Sequence, residues 1–162
     1  VTVTGFLVAC FGAYLIAQGE LFWGGIVMLS GSALDMLDGA MARMSGRVTA
    51  YGAFLDSVMD RLSESAILFG LLVFFTREAS HLEAYLTFGT LTVSLLVSYL
   101  RARAEGLGIS GDVGLMSRPE RVIVIGLGLL VGYPEYALLL VFILGTATTF
   151  QRAWHVRRNF KA

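Results

Sequence analysis

Four aspartates fall within 26 residues of this 162-residue chain: Asp35, Asp38, Asp56 and Asp60. Asp35 and Asp38 stand at i, i+3 and Asp56 and Asp60 at i, i+4, so on helices each pair occupies one face. Two helices presenting two carboxylates each would gather four negative charges that repel one another strongly. Hard divalent cations such as Mg²⁺, Mn²⁺ or Ca²⁺ take oxygen ligands and would neutralise the cluster. No Cys or His lies close by in sequence, which argues against zinc. His81 and His155 read as bystanders, and the single cysteine, Cys10, as a small buried hydrophobe that leaves no disulfide within the chain. Gly39 follows Asp38 directly and Gly52 precedes Asp56 by one helical turn. Both remove a side chain where a nucleotide can approach the backbone. Arg43 suits a phosphate clamp, because a guanidinium pairs bidentately with oxygens. The competing reading is that the carboxylates simply pair with Arg43, Arg47 and Arg61, which leaves the glycines without a role.

The elements that carry these residues are membrane-like. The chain is 56% hydrophobic and only 15% charged, with a mean hydropathy of +0.74; a soluble domain carries about 25% charged residues. Six apolar helices are expected: about Val3 to Ala17, Leu21 to Leu37 with a possible continuation to Met44, Tyr51 to Thr76, Leu82 to Ala104, Pro119 to Val131 and Pro134 to Trp154. A membrane-spanning helix needs about 20 mostly apolar residues, and Pro119 and Pro134 suit first-turn positions. Eleven of the twelve Lys and Arg residues fall on one side of this six-helix topology, and Arg77 on the other. That bias predicts a multi-pass protein of the cytoplasmic membrane with both termini and the active site on the cytoplasmic side. A soluble helical bundle does not account for the asymmetry. The expected organisation is all-α, one membrane domain over 1–162. The chain opens on Val1 without an initiator Met, so residues are expected to precede it, and no basic n-region or cleavage site of a signal peptide is visible.

The same topology brings a second group to the aspartate end. Ser98, Arg101 and Arg103 end the fourth helix, Arg118 and Arg121 start the fifth, and Arg152 ends the sixth. Flanking charge alone explains any one of them. Five together, all arginine, point to an anionic acceptor such as a phosphorylated polyol.

The run Asp35-Met36-Leu37-Asp38-Gly39-Ala40-Met41-Ala42-Arg43, then Gly52, Asp56 and Asp60, resembles the signature of the CDP-alcohol phosphotransferases, D-x2-D-G-x2-A-R-x8-G-x3-D-x3-D, at all eight fixed positions. The resemblance implies transfer of a phosphatidyl-type group from a CDP-linked lipid to an alcohol, with release of CMP. It implies two divalent metals, Mg²⁺ or Mn²⁺, held by Asp35, Asp38, Asp56 and Asp60, with Asp60 also the general base for the acceptor hydroxyl. It implies a CDP pocket shaped by Asp38, Gly39, Ala42, Arg43, Gly52 and Asp56, and a homodimer.

Within that family the second half resembles the phosphatidylinositol phosphate synthases. The matching features are Arg101 and Arg103, the stretch Arg118-Pro119-Glu120-Arg121 and the pair Gln151-Arg152. The resemblance implies CDP-diacylglycerol as donor and inositol phosphate as acceptor, the latter bound by Ser98, Arg101, Arg103, Arg118, Arg121 and Arg152. Phosphatidylglycerophosphate synthases, the alternative with glycerol 3-phosphate as acceptor, show a Gly-Lys-x-Lys-Thr-like stretch where this chain has Met116 to Arg121. A divalent-cation transporter is the alternative from another class; it predicts acidic residues at several depths, not one cluster. Membrane lipids are expected neighbours, and no nucleic acid partner is expected. Gly128 and Gly132 form a small-xxx-small pair, which is common inside helix bundles and does not by itself indicate a dimer.

Overall fold

The computed structural model describes residues 2–44 and 49–160, with side chains over 4–36 and 49–160. The described residues form six helices and no strand: α1 Thr2–Ala17, α2 Leu21–Met44, α3 Ala50–Arg77, α4 His81–Glu105, α5 Arg118–Val131 and α6 Pro134–Asn159. Five of the six match the expected limits within a residue, once α2 is taken to its longer limit. α6 runs five residues past Trp154, because a helix need not stop where its apolar window stops. Its polar end is locally sustained: Asn159 donates to the His155 carbonyl at 2.9 Å, and the Arg157 guanidinium lies 5.9 Å from the Trp154 ring centroid.

Three tight turns close one end of the bundle, each by the same device. A left-handed residue follows the helix, and the next N–H reaches back five residues to a helical carbonyl. Gly19 (φ 89°) and Gly132 (φ 81°) adopt this conformation freely, whereas Ala79 (φ 56°) does so against its own Cβ. The closing bonds run from Glu20 to Leu15, from Ser80 to Phe75 and from Tyr133 to Gly128, at 2.9–3.0 Å. Arg77 sits at this end and donates to the Ala17 carbonyl at 2.8 Å, so the one arginine there caps α1.

The main packing partners close a ring in the order α1, α2, α5, α6, α4, α3 and back to α1. The apolar core fills the half of the ring near the tight turns, with Ile16, Leu68, Leu71, Leu129, Leu138 and Val141 fully buried. α1 and α3 touch backbone to backbone there: a Cβ at Gly70 would lie 2.5 Å from the Ala13 carbonyl oxygen. The opposite half of the ring buries the charged groups Glu64, Arg121 and Arg152, along with Ser94 and Thr148, whereas the buried polar residues near the tight turns are the threonines Thr87 and Thr90. Gly128, by contrast, abuts Ala137 of α6 and Gly132 ends α5, so that pair serves the α5–α6 hairpin.

The helices are less uniform than six equivalent spans. Among the described residues, α4 and α6 are long and apolar enough to cross a membrane. Thr4–Ala17 and Leu21–Met36 are apolar but shorter. α3 carries Asp56, Asp60, Arg61 and Glu64 in its first half, and α5 has 14 residues, about 21 Å of helix against a hydrocarbon core of about 30 Å. Large apolar side chains are exposed on the outer faces of the helices, for example Phe11, Phe69, Phe88, Leu127 and Ile143.

Candidate active site

α3 supplies the acidic spine. Thr49 caps it, its hydroxyl accepting from the Gly52 N–H at 3.0 Å, which places Gly52 in the exposed first turn. Asp56 follows one turn later and is exposed, Asp60 is half-buried and Glu64 is buried. The stripe therefore runs i, i+4, i+8 from solvent into the bundle. Asp35 approaches from α2, half-buried against α1, where a Cβ at Gly5 would fall on its carboxylate. Asp35 and Asp56 both lie close enough to Asp60 to act on it electrostatically. Asp38, Gly39, Ala42 and Arg43 belong to the last turns of α2, and their side chains lie outside the described residues, as does Arg47.

Among the described residues no three metal-ligating side chains gather tightly enough to hold an ion; Asp38 is not among them. The donor chemistry nevertheless fits a divalent metal. Every described candidate ligand is a carboxylate, the three repel one another, and Gly5 leaves Asp35 the space it occupies. The pairing of carboxylates with arginine takes a form the sequence reading did not foresee. Arg61 donates to the Ser57 carbonyl of its own helix. Asp60 is instead held by Arg118 of α5, Oδ2 to Nη1 at 2.9 Å. Arg118 stands in the first turn of α5, where the helix dipole disfavours a cation; the Asp60 carboxylate offsets that cost.

Beside Asp60 opens a cavity of about 170 Å³. Its walls come from four helices: Asp60 from α3, Ser98 and Arg101 from α4, Arg118 and Arg121 from α5, and Arg152 from α6. Arg103 is exposed one turn-face away and does not line it. The Arg101 side chain is 43% exposed, with Nε 2.9 Å from Glu105 and Nη1 3.3 Å from Asp112. Arg121 is fully buried and grips the Glu64 carboxylate with two bonds, Nε to Oε1 at 2.6 Å and Nη2 to Oε2 at 2.9 Å. Arg121 also donates to the Ser98 hydroxyl and to the Met116 carbonyl, each at 3.2 Å. Arg152 donates to the Val113 carbonyl at 2.7 Å and the Val97 carbonyl at 2.6 Å.

Residues 106–117, which join α4 to α5, are strapped down by these groups. Arg152 holds Val113, and Thr148 of α6 accepts from the Met116 N–H at 3.1 Å. The loop also comes close to its neighbours: a Cβ on Gly111 would lie 2.8 Å from the Arg101 carbonyl oxygen, and Gly114 takes φ 117° against Thr148. Sequence reasoning missed Glu64, Thr148 and the cavity-lining Ser57 and Ser117, and it set Arg61 against the carboxylates and not in the cavity wall. Glu64 had a signal, since it continues the Asp56–Asp60 stripe by one more turn. Thr148 had none: it is one of several threonines in an apolar helix.

A family model described as CDP-alcohol phosphatidyltransferase matches residues 1–153. The archaetidylinositol phosphate synthase of Methanothermobacter thermautotrophicus is 41% identical over 99% of this chain and 83% of its own length. The crystal structure of the phosphatidylinositol phosphate synthase of Mycobacterium tuberculosis with CDP-DAG bound superposes with a TM-score of 0.89 at 34% identity, covering 96% of this chain and 83% of that one. The same enzyme in complex with manganese and citrate superposes with a TM-score of 0.90 at 35% identity, covering 96% and 80%.

Proposed function

The chain belongs to the CDP-alcohol phosphatidyltransferase family, and on that premise we propose that it transfers a phosphatidyl-type group from CDP-diacylglycerol to inositol phosphate, forming phosphatidylinositol phosphate and CMP. One observation carries the acceptor assignment. The half-buried Asp60 stands in the wall of a cavity whose other charged walls are arginines, so a proton acceptor and a phosphate-binding face share one space. The names of the relatives support the same acceptor.

The roles follow from position. A hydroxyl of the acceptor attacks the lipid-bearing phosphorus of the donor. A new P–O bond forms, the P–O bond to CMP breaks with its electron pair leaving on CMP, and Asp60 takes the hydroxyl proton. Ser98, Arg101, Arg118 and Arg152 present donors and positive charge to the acceptor phosphate; Arg121, paired with Glu64, keeps one N–H for it, and Arg103 stands at the cavity's outer margin. Asp38, Gly39, Ala42, Arg43, Gly52 and Asp56 form the CDP side. Asp35, Asp38, Asp56 and Asp60 hold Mg²⁺ or Mn²⁺, which when bound neutralises charge on the pyrophosphate. In such reactions the protein chiefly positions groups and stabilises charge.

The bundle is placed in the cytoplasmic membrane as one domain with six helices crossing it, both termini and the site on the cytoplasmic side. The exposed apolar outer faces and the basic residues at the site end support this. A homodimer is included on the family resemblance. The test is a membrane assay with labelled inositol phosphate, Mg²⁺ or Mn²⁺, and a CDP-linked lipid in diacyl and ether forms. Absence of a donor-dependent lipid product would sink the proposal, and turnover with glycerol 3-phosphate alone would reassign the acceptor.

A further inference from the structure

We propose that Glu64 is a positioning residue for the acceptor cavity, acting through Arg121 to hold the Ser98 hydroxyl toward the bound acceptor. The inference deepens the reading of that cavity as the acceptor site and rests on it.

Glu64 lies one turn beyond Asp60 on the same face of α3 but is only 7% exposed, and Arg121 is 0% exposed. A buried ion pair is a costly way to fill space; apolar side chains of similar volume commonly do it as well or better. The pair here joins three helices at the cavity wall. Glu64 of α3 takes two of the five N–H groups of Arg121, Ser98 of α4 takes a third, and the Met116 carbonyl, at the entry to α5, takes a fourth. Arg121 therefore keeps one N–H for a ligand, and its charge is balanced by Glu64. It is poorly placed to clamp a phosphate and well placed to fix its neighbours.

Ser98 is the neighbour that matters. Its oxygen accepts from Arg121 at 3.2 Å, and among the described residues no carbonyl takes its proton. Threonines elsewhere in this bundle return theirs to the carbonyl four residues back, as Thr87, Thr90 and Thr92 do on the same helix. With one of its two lone pairs taken by a guanidinium and no described carbonyl taking its proton, the Ser98 O–H is left to donate into the cavity it lines. Glu64 sets the angle of the guanidinium, and the guanidinium sets the hydroxyl.

The test is steady-state kinetics in detergent with CDP-diacylglycerol, Mg²⁺ and inositol phosphate, with thermal unfolding measured on every variant. Ser98→Ala removes no charge; it should raise the acceptor KM about tenfold, the loss expected for one hydrogen bond to an ionised partner, and leave the donor KM unchanged, with a smaller fall in unfolding temperature than Glu64→Gln. Glu64→Gln should raise the acceptor KM at least as far, with a lower unfolding temperature. The double variant Glu64→Leu/Arg121→Met removes both charges and guards against misfolding; its acceptor KM should remain raised. The proposal is overturned if Ser98→Ala leaves the acceptor KM unchanged, if donor and acceptor KM rise together, or if the double variant has a wild-type acceptor KM. Wild-type turnover with glycerol 3-phosphate and none with inositol phosphate would overturn the acceptor reading alone, and the same variants then decide Glu64 with glycerol 3-phosphate as substrate.

Discussion

In the proposed reaction the chemistry turns on Asp60 and Arg118, which hold each other at 2.9 Å. Asp60→Asn keeps the shape of the side chain and removes its capacity to take a proton. Turnover should fall by about 10²–10⁴-fold, the usual range for a general base, with CDP-lipid binding largely intact in an equilibrium binding measurement. Equal loss of binding and turnover would make Asp60 chiefly a metal ligand. Arg118→Ala should raise the acceptor KM by about tenfold or more, whereas Arg103→Ala, on the exposed margin, should change it by less than about threefold. Chelation with EDTA should abolish turnover, and Mg²⁺ or Mn²⁺ should restore it while Na⁺ does not. The aspartates were legible in the sequence because an ionisable residue in an apolar helix needs a reason to be there. Glu64 shared that signature, but spacing alone does not separate a ligand-facing carboxylate from one turned toward a buried arginine. Which of Arg101 and Arg103 faces inward depends on the rotation of α4, which its neighbours set.

At the scale of elements, the apolar runs and two prolines located nearly every helix end. Gly19 and Gly132 end their helices in a conformation that suits glycine, and Pro134 begins α6. Ala79 occupies the same kind of position with a Cβ. Ala79→Gly should therefore stabilise the protein by about 1 kcal/mol, read as a rise in unfolding temperature in detergent; no change would mean that the turn relaxes around the alanine. Gly70→Leu should do the reverse, because α1 and α3 meet there backbone to backbone; overpacking of this kind costs about 1–3 kcal/mol or more. Two features were not legible. The polar end of α6 is helical without being apolar, so a hydropathy window stops short of it. The strapping of residues 106–117 depends on Thr148 and Arg152, which meet that loop only when α6 packs beside α4.

For the whole molecule, the division of the ring into an apolar half and a polar half suggests its orientation in a bilayer. The polar half carries the cavity, the aspartates and every described Lys and Arg except Arg77. Arg77 is engaged by the α1 end at the other extreme. Basic residues concentrate on the cytoplasmic side of membrane proteins, and a phosphorylated, water-soluble acceptor would enter from the same side. Cys10 is the only cysteine, so Cys10→Ser provides a background for single-site labelling with a membrane-impermeant maleimide. On that background Ser80→Cys, in the tight turn between α3 and α4, should label in right-side-out vesicles. Leu107→Cys, exposed beyond the end of α4, should label only in inverted ones. The opposite pattern would put the site outside the cell and remove the orientation. Labelling of both positions from one side would be worse for the proposal, because α4 has its two ends at these two positions, and it would mean that this helix does not cross the membrane.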